Sequence, residues 1–402
     1  MTERVLPAEP GGLVTAAVLG MSAMTIMANA TISPSLPELR AHYADVEGIE
    51  TLAGLLLTLP SLAIVVSAGL MGWLADRMDR QKLLLACGLL YALGGTSGLW
   101  VDSFGAMLAG RVVLGLGVAG TMILATAWAA DLWQGAARER YLGRQGAAIS
   151  VGGIVVMLLG GALAALHWRG AFATYILVLP VTALAFVALA PYARARVQAR
   201  REAGRPTGTP PAFPWRAFAF VGPLAFLFMA VFYVMPTRGP FLLNGLGVDS
   251  PLAVGGIMAL MTVTSIPGAI NYGRIRQRLS MMAIFALGWV VMGVGMGIIA
   301  FAPSALFAAL GVAVMGLGMG PSMPNYTTYW MATVPPALRG RAAGTLTIAF
   351  FGGQFASPLV TAPLVGIFGL NGAFEALSIF MILLGAGLWT LARREAQREA
   401  VA

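Results

Sequence analysis

The chain of 402 residues is 58% hydrophobic, and only 10% of its residues are charged. Soluble domains contain about 25% charged residues, so this composition excludes a surface covered by polar groups and predicts a protein that faces lipid. The basic residues behind the net charge of +9 lie in short, separated groups, so we predict no nucleic-acid partner. One cysteine and two histidines provide no metal-ligand spacing, and we predict no metal site and no cofactor.

Twelve apolar runs are long enough to cross a bilayer as helices, which need about 20 apolar residues. All but four of the 25 basic residues fall on one side of the resulting topology. The positive-inside rule assigns that side, and both chain termini, to the cytoplasm. The predicted spans, numbered one to twelve, cover residues 12–34, 50–72, 83–101, 105–130, 143–166, 171–192, 216–237, 251–272, 281–301, 304–331, 342–368 and 371–391.

Span one carries a polar stripe within its apolar sequence. Its members recur at spacings that place them on one narrow face of a helix: Ser22, Thr25, Asn29 and Ser33. A polar face inside a membrane meets a cavity or another helix rather than lipid. Serine and threonine hydroxyls can also bond back to their own helix. We therefore name Asn29 as the stronger candidate for substrate contact, with Thr25 beside it.

A group of charges follows span two and carries a family resemblance. Residues 72–82 read Gly-Trp-Leu-Ala-Asp-Arg-Met-Asp-Arg-Gln-Lys. This segment resembles the G-x-L-a-D-R-x-G-R-R/K-K/R signature between the second and third helices of major facilitator superfamily transporters, with Asp79 where the signature prefers glycine. The resemblance implies an all-α membrane protein of twelve transmembrane helices in two pseudo-symmetric six-helix bundles. It is closest to the bacterial drug and metabolite efflux branch, which implies the bacterial inner membrane as the location.

The same resemblance implies an inner gate at the cytoplasmic ends of the spans. In the family, the aspartate of the signature caps the eleventh helix, and its second arginine pairs with an acid that ends the fourth. Asp76 and Arg80 hold these positions, and Asp131 ends span four. We add Arg140, from the basic group that follows span four. The alternative interpretation is that these charges only solvate loops and set the topology.

Arg111 lies about six residues, or roughly 9 Å, into span four from its outer end. An ionisable group at this depth faces the interior of the bundle and usually marks a pathway. Residues 111–117 also resemble the R-x-x-x-G-x-G signature of the family's fourth helix. Two interpretations stay open. Arg111 contacts the substrate or a coupling proton, or it is structural and donates to carbonyl groups of span one.

The case for a coupling proton is incomplete. No aspartate or glutamate lies in the middle of a span, whereas proton-driven exporters of the family commonly keep a carboxylate in the cavity. The antiporter signature of the fifth helix, G-x-x-x-G-P-x-x-G-G, is also only partly matched: Gly152, Gly160 and Gly161 align, but Val156 and Met157 replace its Gly-Pro. A coupling proton stays an open partner, with Asp131 or Glu38 as the group that would titrate.

Residues 193–215 form the one long polar break in the chain, and the sequences on either side repeat one pattern. Arg80-Gln81-Lys82 corresponds to Arg276-Gln277-Arg278, and Gly115-Leu116-Gly117 corresponds to Gly316-Leu317-Gly318. Such parallel repeats are known from transporters. In the second copy, Tyr272 replaces Asp76. We predict six-helix bundles at residues 1–192 and 216–402, joined by a cytoplasmic linker at residues 193–215.

The second half supplies the remaining candidates for substrate contact. Arg238 follows Pro236 at the outer end of span seven, where a cation can also snorkel to the headgroups. Gln354 lies close to the midplane of span eleven, where an amide needs partners and either lines a cavity or joins helices. The full set in this half is Tyr233, Arg238, Asn325, Tyr329 and Gln354.

These features together predict a monomeric secondary active transporter that exports a small organic solute by rocker-switch alternating access. The alternative is uptake or facilitated diffusion of an organic anion, with Arg111 as the counter-charge. A channel would need a continuous polar pore, and an enzyme would need a nucleophile, an acid–base pair or a metal cluster inside the bundle. The sequence has none of these. A receptor with the same fold would bind a solute without moving it.

Overall fold

The computed structural model describes residues 10–202, 212–335 and 338–401, and the regular secondary structure in those residues is entirely helical. Eleven of the described helices are long and apolar enough to cross a membrane. The last of them, Arg341–Arg394, has 54 residues, which is roughly 80 Å of helix and enough for two crossings. The backbone at Gly369, with φ 71° and ψ 178°, breaks this helix between the predicted spans eleven and twelve.

The first half follows the predicted order of spans. Span one is the helix Gly12–Ala30, continued by the 3-10 turn Ser33–Ser35 and the short helix Leu36–His42. Spans two to five are the helices Ile49–Arg77, Arg80–Trp100, Phe104–Leu132 and Gly135–Ala164. Span six begins as the 3-10 segment Trp168–Leu177 and continues as the helix Val178–Glu202. The segment predicted as a linker is therefore helical in its first part, and residues 203–211 lie outside the described residues.

The second half begins at Trp215. Span seven consists of two helices, Trp215–Phe232 and Val234–Gly245. Span eight is the helix Pro251–Ile270, followed by the short helix Tyr272–Arg278. Spans nine and ten are Met281–Ala300 and Ala305–Ala332, and the helix Arg339–Val401 contains spans eleven and twelve.

The prediction that span seven ends at residue 237 is wrong, because its second helix continues to Gly245. Pro236 suggested a helix end. It lies in the first turn of that second helix, where backbone N–H groups have no partner within the helix and the missing N–H of proline breaks no hydrogen bond. Arg238 consequently lies inside the span rather than at its end.

Each half has its own hydrophobic core. Buried residues from Val14 to Leu189 form the first core, and those from Val221 to Ala392 form most of the second, which Met157 of span five joins. Corresponding glycines perform the same packing in both cores. Gly115 lies against the backbone of span two and Gly316 against that of span eight. Glycine permits this close approach of helices in lipid, so the sequence repeat is also a repeat of packing.

Candidate functional site

Spans one and seven are both interrupted near the ends that the predicted topology places on the outer side, and the two interruptions meet. Ser33, in the 3-10 turn of span one, donates its hydroxyl to the carbonyl oxygen of Pro236 in span seven. The guanidinium of Arg40 lies 5.1 Å from the centre of the Phe241 ring. Each contact joins positions about 200 residues apart, close to the offset of the sequence repeat. Corresponding positions of two repeats touch only near their pseudo-two-fold axis, so the two halves meet at that axis on the outer side.

Arg238 crosses the same boundary. Its Nη1 donates to the backbone carbonyl oxygen of Glu50, at the start of span two, over 3.2 Å. The residue is only 3% exposed, and its Nε has no hydrogen-bond partner in the described part of the chain. The carboxylate of Glu50 binds Arg40 instead, 2.9 Å away at an exposed position. The alternative that Arg238 snorkels to the headgroups is therefore wrong, because the side chain is buried between the two halves.

A hydrogen bond also joins the halves near the middle of spans two and eleven. Ser61 of span two donates its hydroxyl to Oε1 of Gln354 in span eleven, over 3.0 Å. The amide nitrogen of Gln354 lies 3.8 Å from the sulfur of Met229 in span seven. Of the two interpretations of Gln354, this geometry corresponds to an amide that joins helices. Ser61 was not among the predicted site residues, although a hydroxyl directly after Pro60 in the middle of a span could have indicated a polar contact.

Arg111 points into the interior of the first half. The residue is fully buried, and its guanidinium carbon lies 4.6 Å from the ring centre of Phe172 and 5.1 Å from that of Tyr175. Its Nη2 donates over 3.4 Å to the carbonyl oxygen of Gly95 in span three. This acceptor is not in span one, which the structural interpretation of Arg111 had named, and no bond from Arg111 to span one occurs within the described residues. Nε and Nη1 have no hydrogen-bond partner in the described residues.

Two tyrosines beside Arg111 hold span one in place. The hydroxyl of Tyr91 donates to the carbonyl oxygen of Met24 over 2.5 Å, and that of Tyr175 donates to Ala28 over 3.1 Å. Both acceptors are backbone groups of span one. Arg111 thus lies in the packed interior of the first bundle, next to the part of span one that these two hydrogen bonds hold.

The arginine–acid pair implied by the family resemblance is present at the inner ends of spans three and four. Nη1 of Arg80 lies 2.9 Å from Oδ2 of Asp131, and its Nε donates to the carbonyl oxygen of Ala75. Arg80 is buried, and Asp131 is about one-third exposed. Asp76 is exposed, and no hydrogen bond from it to the start of span eleven occurs within the described residues. Arg140 is exposed near the start of span five.

The second half has an uncharged junction at Tyr272, the residue that replaces Asp76 in the sequence repeat. The hydroxyl of Tyr272 donates to Oδ1 of Asn325 over 3.0 Å, and Nδ2 of Asn325 donates to the carbonyl oxygen of Met281 over 2.9 Å. Spans eight, nine and ten therefore meet at Asn325, which is fully buried. We predicted substrate contact for Asn325, but both ends of its amide are used in contacts between helices.

In span one, the hydroxyl of Thr25 donates back to the carbonyl oxygen of Ser22 over 2.7 Å. Asn29 belongs to the helix, but its side chain lies outside the described residues. Gln145, which was not among the predicted site residues, donates from its Nε2 to the hydroxyl of Ser22 over 2.9 Å. An amide at this position in span five was a usable signal, because it follows the last basic residue of the inner loop.

The two tyrosine candidates of the second half pack against other aromatic rings. Tyr233 is buried at the junction between the two helices of span seven, beside Phe232. Tyr329 of span ten is partly buried, and its ring centre lies 5.8 Å from that of Phe220 and 5.6 Å from that of Phe285. The polar groups of the candidate site are thus concentrated in span one and at the boundary between the halves, and the second half contributes mainly aromatic surface.

Comparison with known proteins agrees with this architecture. The family model described as Major Facilitator Superfamily matches residues 18–358. Tetracycline resistance protein, class G, of Vibrio anguillarum is 26% identical over 355 residues, which are 85% of this chain and 87% of that protein. Multidrug efflux pump Tap of Mycolicibacterium fortuitum is 28% identical over 138 residues, so the matched part covers 34% of each chain. The crystal structure of a D-xylose-proton symporter has the same fold, with a TM-score of 0.71 at 16% identity over 94% of this chain and 96% of that one.

Proposed function

The chain belongs to the major facilitator superfamily, and from that premise we propose that it exports a small organic solute by rocker-switch alternating access. As a member of this family it is a multi-pass membrane transporter of small molecules and not an enzyme. Two relatives, named as a multidrug efflux pump and a tetracycline resistance protein, support the direction of export. We also propose that it works as a monomer in a bacterial inner membrane, with both termini in the cytoplasm.

One contrast between the outer and inner contacts carries the proposal. On the outer side, Ser33 and Pro236 join the two halves, as do Arg40 and Phe241. On the inner side, Arg80 with Asp131 and Tyr272 with Asn325 each stay within one half. A rigid rotation of one half against the other would break the outer contacts and leave the inner ones intact. This pattern supports a state closed to the outside, from which rocking opens the outer side.

The opposite state would use other contacts of the inner gate. In the state closed to the outside, Asp76 is exposed, and it can approach the start of span eleven when the inner ends close. A carboxylate at a helix N-terminus is stabilised by the helix dipole, by about 0.3–1 kcal/mol. We propose that Asp76 makes this contact only in the outward-open state, with Arg140 on the same inner face. Solute would then pass between Thr25, Asn29, Tyr233 and Tyr329.

Close packing at Gly54 offers a direct test. A Cβ atom placed on Gly54 would lie 2.8 Å from Cβ of Pro358 in span eleven, at the outer closure between the halves. We expect Gly54→Leu to prevent the outer side from closing and to abolish transport. Gly69→Leu is the matched control, since Gly69 lies in the same span and a Cβ atom placed on it would have no neighbour within 4 Å.

The measurement is the flux of two probes, tetracycline and the carboxylate benzoate, into proteoliposomes that contain the purified chain, with and without an imposed pH gradient. We expect net flux with the wild type and Gly69→Leu, and none with Gly54→Leu. Dependence of the flux on the pH gradient would identify a proton as the coupling ion. Saturable tetracycline binding without net flux would instead identify a receptor and contradict the proposal. Equal flux in both leucine variants would contradict outer closure at this contact.

A further inference from the structure

We propose that Arg238 is the residue that recognises the transported solute at the outer end of the path, and that this solute carries a carboxylate or a similar single anionic group. The inference rests on the proposed function, because it requires a solute path between the two halves. It adds a substrate class and assigns its recognition to one residue. Arg238, rather than Arg111, would then be the counter-charge for an organic anion.

Arg238 lies near the outer end of the boundary between the two halves. The residue lies seven positions before the end of the helix Val234–Gly245, or roughly 10 Å below its outer end. Its helix begins just after Tyr233, and its guanidinium reaches across the boundary to span two. A solute that enters from the inner side and moves between the halves would therefore meet this guanidinium last, directly below the outer closure.

The guanidinium of Arg238 is incompletely hydrogen-bonded in the described residues. Its Nη1 binds a backbone carbonyl group, its Nε–H is buried without a partner, and the side chain is almost fully buried. Glu50 is adjacent, but its carboxylate binds Arg40 at the exposed end of span two. A buried charge is costly unless its N–H groups are also hydrogen-bonded. A carboxylate that arrives from the path would supply the missing hydrogen-bond acceptors and can bind a guanidinium through two parallel hydrogen bonds.

Arg111, a second buried arginine toward the outer side, differs from Arg238 in its surroundings. Arg111 is enclosed between the rings of Phe172 and Tyr175 inside the first bundle. A solute could reach it only by displacing span one, which Tyr175 holds through the carbonyl group of Ala28. Arg238 needs no such displacement, because the boundary between the halves is the surface that opens during alternating access.

The same geometry links binding to opening. The contact between Arg238 and the carbonyl oxygen of Glu50 is one of those that hold the outer side closed. A carboxylate that binds Arg238 through Nη1 competes with that carbonyl oxygen for this donor. The ligand therefore favours the state in which the contact is broken, and a ligand shifts a conformational equilibrium only through such a difference in affinity. An anionic solute would in this way promote its own release.

Thermal unfolding of the purified full-length chain, followed while a small-molecule probe is titrated, tests the proposal because a bound ligand raises apparent stability. The probes are three carboxylates with their uncharged carboxamide counterparts: benzoate and benzamide, nicotinate and nicotinamide, cinnamate and cinnamamide. We expect at least one carboxylate to stabilise the wild type more than its carboxamide does. Arg238→Gln should weaken that effect about tenfold or more in apparent affinity, the scale of one lost charged hydrogen-bond partner.

Two further variants make the result specific. Arg238→Lys keeps the charge but loses the planar fork, so we expect a smaller loss, and this variant replaces Arg238→Gln if the latter does not fold. Arg394→Gln removes an exposed positive charge at the far end of the chain and should leave the effect unchanged. Equal stabilisation by every carboxylate and its carboxamide would overturn the proposal. So would equal carboxylate affinity in the wild type and in both Arg238 variants.

Failure of this proposal and failure of the proposed function give different results. If proteoliposomes transport a solute at the same rate with Arg238→Gln as with the wild type, the transporter assignment stands and the role of Arg238 is wrong. If a carboxylate binds through Arg238 and no tested condition produces net flux, the anion site stands and the transport mechanism is wrong.

Discussion

Ser61 and Gln354 form a hydrogen bond that links the two halves of the protein near the middle of spans two and eleven. The hydroxyl of Ser61 donates to Oε1 of Gln354 over 3.0 Å, and both residues are buried. The partners are uncharged and belong to spans two and eleven. The bond therefore favours one arrangement of the halves without placing a charge inside the membrane.

We expect this bond to be measurable as a coupling free energy. Ser61→Ala and Gln354→Ala, alone and combined, should show a coupling of about 1 kcal/mol, the net contribution of a neutral hydrogen bond. The measurement is the free energy of unfolding in mixed micelles. Ser67→Ala is the matched control, because Ser67 bonds only back to Ala63 of its own helix. If Ser67 and Gln354 showed a coupling free energy as large as that of Ser61 and Gln354, the hydrogen bond would not be the cause of the coupling.

The inner pair of Arg80 and Asp131 should contribute to stability through charge. Asp131→Asn would leave the buried guanidinium of Arg80 without its carboxylate, and we expect a loss of about 1–2 kcal/mol in unfolding free energy. This is the lower part of the range for charged partners, because Asp131 is partly exposed to solvent.

Asp79→Asn is the control for that substitution. Asp79 caps span three by accepting from the backbone N–H of Gln81, and asparagine caps helices equally well. We expect this variant to unfold like the wild type. If Asp79→Asn were as destabilising as Asp131→Asn, local charge rather than the pair with Arg80 would explain the result.

The uncharged junction of Tyr272 and Asn325 should behave differently from the charged pair of Arg80 and Asp131. Tyr272→Phe removes one neutral hydrogen bond, and we expect a loss of about 1 kcal/mol in unfolding free energy. Because neither group is charged, the loss should be the same at low and high salt, whereas the effect of Asp131→Asn should shrink at high salt. Equal salt dependence of the two variants would contradict this distinction. Unfolding curves at two salt concentrations make the comparison.

Gly369 should be costly to replace, although it is exposed. Its φ of 71° and ψ of 178° belong to a region that is essentially restricted to glycine, and this residue breaks the helix between spans eleven and twelve. We expect Gly369→Ala to lower the unfolding free energy by about 1–3 kcal/mol. Gly366→Ala is the control, since Gly366 is helical and has open space around it. A similar stability of the two variants would show that the turn tolerates a side chain.

The features that the sequence predicted well are those encoded locally. Long apolar runs located the spans, and the segment 72–82 led to the pair of Arg80 and Asp131 through the family resemblance. Span seven was cut short at residue 237, because a proline in the first turn of a second helix looks the same in sequence as one that ends a helix.

Residue roles that depend on distant partners could not be predicted. The aromatic neighbours of Arg111 come from span six, more than 60 residues away, and only packing decides whether its side chain faces them or the boundary between the halves. Ser61 and Gln145 are uncharged side chains whose importance lies in one partner each. For Arg238, the sequence could not separate burial between the halves from exposure at the headgroups.

Arg111 should affect stability rather than solute recognition. Arg111→Lys keeps the positive charge but loses the flat guanidinium that lies against Phe172 and Tyr175. We expect this variant to lose about 1–2 kcal/mol of unfolding free energy, the range for a cation–π contact removed from water. Because the side chain is enclosed within the first bundle, the apparent affinity for carboxylate probes should stay within about twofold of the wild type, a change of roughly 0.4 kcal/mol. A tenfold weaker affinity with unchanged stability would instead make Arg111 the counter-charge of the solute and would remove the reason for assigning that role to Arg238.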